Sequence, residues 1–82
     1  MTLNDRQRRA LAILAPLVDA SPTGHADPTL LEDRIAAGLP RGSRGLAKMV
    51  LTQLGKKGAI KFRWVDSGFR VELLPAGREA LG

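Results

Sequence analysis

The chain has no cysteine and no tyrosine, a single histidine and only three aromatic side chains, Phe62, Trp64 and Phe69. Without cysteine there is no disulfide, no thiolate nucleophile and no Cys-based zinc site. The one histidine, His25, sits in a Gly/Asp/Pro segment beside Asp27 and reads as a surface loop residue. A metal site would need more ligands, and nucleophilic catalysis an oriented partner. The carboxylates Asp5, Asp19, Asp27, Glu32, Asp33, Asp66, Glu72 and Glu79 show no spacing of an acid/base pair, and Glu32 and Asp33 are explained by the dipole of a helix start. No phosphate-binding loop, dinucleotide fingerprint or metal motif is present. No apolar run approaches the ~20 residues that span a bilayer. The first residues, Met1 to Arg6, are too polar for a signal peptide. The expectations are therefore a cytoplasmic protein that is not an enzyme, with no cofactor, no metal, no small-molecule ligand and no membrane partner.

What remains is a short, basic, aliphatic chain. Its 82 residues suit one domain, 1–82. Hydrophobic residues make up 44%, so a core is affordable, and with few aromatics it must be built from Leu, Ile, Val, Met and Ala. Thirteen Lys and Arg against eight Asp and Glu leave a formal charge of +5 and a pI near 10.8. Such an excess attracts polyanions through the long-range field as well as by contact.

The apolar period divides the chain. Asn4 and Gln7 form a capping pair for a first helix, whose Ala10, Leu11, Leu14, Leu17 and Val18 recur at helical spacing. Pro16 predicts a kink or an early end. Ser21-Pro22-Thr23-Gly24 is turn chemistry, followed by a loop to Asp27. Asp27 as cap and Pro28 at the first position open a second helix, with Thr29 and Glu32 as a competing capping box. Leu30, Leu31, Ile35 and Ala36 form its apolar side, and Gly38 ends it. Ser43 caps a third helix running to Lys57, with Ala47, Val50, Leu51 and Leu54 on one face and Arg44, Lys48 and Thr52 on the other, until Gly58 stops it. The period then becomes two. Residues 59–65 and 69–74 alternate around Asp66-Ser67-Gly68, which predicts a β-hairpin. Ile60, Phe62 and Trp64 are expected to face the helices. Arg78 to Leu81 add a last helical turn.

This order is three helices followed by a two-stranded hairpin and a short C-terminal turn, an α+β arrangement. It resembles the winged helix-turn-helix superfamily of DNA-binding regulators, including the MarR-like and PadR-like groups. Three stretches carry the resemblance: Thr29 to Leu39 is similar to the second helix and turn, Leu51 to Ile60 to the end of the recognition helix entering the wing, and Leu74 to Leu81 to the segment after the wing. Together they cover roughly residues 5–81. The chain departs from the family in a longer connection, Pro40-Arg41-Gly42-Ser43, and in lacking the long dimerisation helices of MarR-like repressors.

The resemblance implies sequence-dependent binding of double-stranded DNA by a small transcriptional regulator, with the third helix in the major groove and the hairpin as a basic wing on the flanking backbone. By spacing alone, Arg44, Lys48 and Thr52 are one solvated helix face. Their place on the third helix of the resembled fold implies that they contact DNA. Arg41 and Ser43 lie at that helix's N-terminus, where backbone N–H groups favour phosphate. Lys56, Lys57, Lys61, Arg63 and Arg70 make up the basic wing, against a plain reading of hairpin charges as solubilising. Gly42 is assigned to the turn, whereas Gly45, inside the helix, suggests close approach of a ligand or another helix. Two other readings use the same surfaces. One is a protein-interaction adaptor, with Leu46, Met49 and Phe69 as its patch, and the other is RNA binding. The partner under the first reading is double-stranded DNA, with a protein partner or a homodimer as further partners.

Overall fold

The computed structural model describes all 82 residues. Helix α1 (Asp5–Asp19) begins with the expected reciprocal cap. The Gln7 N–H donates to the Asn4 side chain at 2.8 Å, and the Asn4 N–H donates back to Gln7 Oε1 at 3.1 Å. The helix does not end at Pro16 but continues to Asp19. Pro16 lies in the last turn, so it removes one donor only, that to Ala12 on the exposed side of the helix. The next carbonyls are still used, with the Ala20 N–H donating to Pro16 O at 2.9 Å.

In α2 (Pro28–Gly38) the cap is Asp27, which accepts from the Thr29 N–H at 2.9 Å, so the Thr29–Glu32 alternative is not formed. Leu31 and Ile35 are buried, but Leu30, expected on the apolar side, is 40% exposed. Gly38 is the last helical residue rather than a left-handed cap. A Cβ there would collide with Ile13, so its small size serves the close packing of α1 on α2. Gly42 belongs to the turn, since a Cβ would strike the Ala36 carbonyl. Beside it, Arg41 is the one non-glycine residue with positive φ, at 54°.

Helix α3 (Arg44–Lys56) is capped by Ser43, whose Oγ accepts from the Leu46 N–H at 3.1 Å. It closes in a Schellman motif around Gly58, which has φ 80°. The Gly58 N–H donates to Gly55 O at 3.1 Å and the Ala59 N–H to Leu54 O at 3.0 Å. The chain leaves this turn directly into β2 (Ile60–Val65), which pairs antiparallel with β3 (Gly68–Leu73) from Ile60↔Leu73 to Val65↔Gly68. Asp66 and Ser67 keep negative φ while Gly68, at 122°, takes up the bend.

Two elements differ from expectation. His25–Ala26, read as loop, forms a short strand, β1, on the free edge of β3, giving an antiparallel sheet of order β1-β3-β2. The terminal turn is a helix, α4, and starts earlier, at Pro75, running to Ala80. The fold is thus α+β, with four helices and a three-stranded antiparallel sheet. One cluster of 18 buried residues joins helices and sheet, and it includes Leu11, Leu14, Ile35, Val50, Leu51, Leu54, Ile60 and Leu73. No helix is long and apolar enough to cross a membrane.

The hairpin outruns this core. Along one face of β2, Ile60 is buried, Phe62 half-buried and Trp64 78% exposed. Ile60 and Phe62 follow the expected alternation, but Trp64, expected to face the helices, is exposed. Its face points toward the helix side, but its distance along the strand carries it past the helices.

Candidate functional site

The open face of α3 holds Gly45, Lys48, Met49, Thr52 and Lys56. Nothing packs on Gly45; the nearest atom to a Cβ there would be Ser43 Oγ at 4.0 Å. The expected approach of another helix at Gly45 is therefore absent. Thr52 Oγ1 donates to the Lys48 carbonyl at 2.9 Å. The hairpin lies alongside, seated on Gly55, where a Cβ would come within 3.2 Å of the Phe62 ring. Between them runs a groove lined by Lys48, Leu51, Thr52, Phe62, Phe69 and Arg70, with the start of α2 (Asp27, Pro28, Thr29, Glu32) as its far wall. On the other side of Phe62, Lys56 and Lys61 line a second depression with Thr52, Gly55, Ile60 and Leu74. Lys48, Lys56 and Lys61 thus flank the junction of α3 and hairpin, and none has a carboxylate within ion-pair distance.

The other residues singled out in the sequence are employed differently. Arg44 reaches back to α2, pairing with Glu32 at 3.3 Å and with Asp33. Its charge is answered within the protein, and Glu32 and Asp33 are its partners rather than only complements of a helix dipole. Lys57 points to the chain's N-terminus, donating to Thr2 O at 2.6 Å and to Gln7 Oε1 at 2.8 Å. It stands apart from Lys56 because neighbouring residues on a helix end face different ways. Arg63 pairs with Glu72 at 2.8 Å across the two strands, and His25 Nε2 lies 3.8 Å from the same carboxylate. Arg70 curls onto its own turn, donating to the carbonyls of Phe69 at 2.7 Å and Ser67 at 2.9 Å, with no carboxylate to neutralise it. Ser43 is occupied as a cap, and Arg41 is exposed.

Two features escaped the sequence reading. Arg6 and Arg9 on α1 share a shallow hollow with Asp5, Leu39 and Pro40, a second cationic surface at the α2–α3 connection. The run Arg6-Gln7-Arg8-Arg9 was its only signal. The second is a row of rings on the hairpin. Phe62 and Phe69 stack nearly parallel, with centroids 5.4 Å apart and 7° between planes, and Trp64 leans on Phe69 at 4.9 Å and 46°. Away from both surfaces, two hydrogen bonds from Arg78 hold the Asp19 carboxyl below its ordinary range and raise Arg78. No three His, Cys, Asp or Glu side chains gather as a metal site would require. No protein-family model matches the chain, and no curated protein or solved structure matches it.

Proposed function

We propose that the chain is a winged helix-turn-helix domain that binds double-stranded DNA as a small transcriptional regulator, with α3 in the major groove and the hairpin as a wing on the flanking backbone. One observation carries this reading. Lys48, Lys56 and Lys61 flank the exposed junction of α3 and hairpin, and none of them forms an ion pair with a carboxylate. Duplex DNA requires cations for phosphates and a protruding element for a groove, and this junction offers both. Arg44 takes an indirect part. It neutralises Glu32 and Asp33, which would otherwise place two negative charges beside the bound backbone. The DNA-facing set is thus Lys48, Thr52, Lys56 and Lys61, with Arg41 at the helix start.

Lys48→Ala tests it. The side chain is exposed, so the fold is retained. Loss of one phosphate contact weakens binding to all duplex sequences and flattens the slope of log affinity against log salt by about one unit. An unchanged slope in a folded Lys48→Ala variant removes α3 as the DNA-contacting element. Of the residues of the adaptor reading, Met49 is 44% exposed and Phe69 37%, while Leu46 is partly buried against the core.

A further inference from the structure

An exposed tryptophan needs a reason, because a large ring in water forgoes the burial that would stabilise it. Trp64 is 78% exposed at the end of the Phe62–Phe69–Trp64 row. The register places it directly across from Phe69, so the β-ladder orients it. Phe69 supports one side of the indole at 4.9 Å, and the rest of the ring is open. The groove at the inner end of the row contains Lys48 and Arg70, neither paired with a carboxylate. Its two acids are already engaged, Asp27 as the cap of α2 and Glu32 with Arg44.

Flat π-faces beside uncompensated cations are what single-stranded nucleic acid requires: a surface for a base and positive charge for its phosphate. We infer that the Phe69–Trp64 end of this row is a stacking platform for an unpaired base, so that the protein prefers duplex DNA carrying a single-stranded extension to blunt duplex. The inference rests on the DNA-binding reading above and specifies its substrate. A protein partner would also cover these rings, but the cations Lys48 and Arg70, without ion-pair partners in the groove at the inner end of the row, favour a polyanion. The duplex lies on the α3 lysines, and the first unpaired base of the extension caps the indole.

Trp64 is the only tryptophan, so its emission reports its own face. The full chain is titrated with a blunt duplex and with the same duplex bearing a short thymidine extension, at matched salt. The extended duplex binds about tenfold or more tighter and quenches the indole, as expected for one stacked base. Trp64→Ala brings the extended duplex down to the blunt level, and Trp64→Phe keeps part of the preference. Equal affinity for the two DNAs without quenching overturns the inference. If blunt duplex is still bound with a clear salt slope, the DNA-binding reading survives it. Binding to neither DNA at low salt removes both. A blue shift of emission with protein concentration alone would put a second copy on the rings, again overturning the inference.

Discussion

Gly45→Ala separates what α3 needs for folding from what it needs for binding. Gly45 is the second residue of α3, and a glycine inside a helix is about 0.5–1 kcal/mol less favourable than alanine. The added methyl meets no obstacle, since the nearest atom is Ser43 Oγ at 4.0 Å. Gly45 also lies outside the positive-φ region, so alanine adopts its backbone without strain. The substitution is therefore expected to stabilise the protein by about 0.5–1 kcal/mol. Unfolding entropy near 2.1 cal/mol/K per residue amounts to roughly 170 cal/mol/K for this chain, so Tm should rise by about 3–6 °C. Far-UV circular dichroism melts measure this. A Tm that stays the same or falls would refute the description of α3's first turn as open. The same variant probes function: if the DNA backbone comes close to this turn, the methyl lowers duplex affinity while Tm rises. A raised Tm with unchanged affinity would mean that no ligand approaches Gly45.

Leu51→Ala removes a side chain that is 2% exposed in the middle of α3, and should cost about 2–5 kcal/mol in urea unfolding. A change within error would mean that the buried face of α3 is misassigned. The Asp19–Arg78 pair predicts a pH dependence. Its carboxyl is held below the ordinary value of 3.8, so its stabilisation is present above that value and lost as pH falls through the lower folded value. The Tm difference between the parent and Asp19→Ala should be constant near neutral pH and vanish in strong acid. A difference that persists there would show that the pair's charge is irrelevant.

What the sequence disclosed was local. Asn4, Asp27, Ser43 and Gly58 announce helix ends because a cap depends on residues two to five positions away. Strand β1 was illegible because two residues, His25 and Ala26, cannot display an alternation, and they become a strand only when the edge of β3 arrives. Arg44 shows the limit at the site. Its spacing from Lys48 fixed which side of the helix it leaves, but Glu32 and Asp33 reach it only through the packing of α2 on α3. Gln7 was readable as a cap, yet its side-chain amide also donates to Gln53 at 3.0 Å, and its Oε1 receives Lys57. That network links residues 46 and 50 positions apart, and it withdraws Lys57 from the surface to which the sequence assigned it.

The two kinds of cation divide the work. Every Lys or Arg in an ion pair is an arginine: Arg44 joins α3 to α2, Arg63 joins β2 to β3, and Arg78 joins α4 to α1. The planar guanidinium suits this, because its fork can meet a carboxylate, or two, in fixed geometry. The lysines form no ion pair at all. Lys57 is tied to neutral oxygens, and Lys48, Lys56 and Lys61 are left around the α3–hairpin junction. A compact ammonium on a flexible stem is poorly suited to fixing two elements, but it can follow a phosphate without demanding one orientation. Four of the eight carboxylates, Asp19, Glu32, Asp33 and Glu72, are paired with arginines, while the lysines that a polyanion would meet have no ion-pair partner.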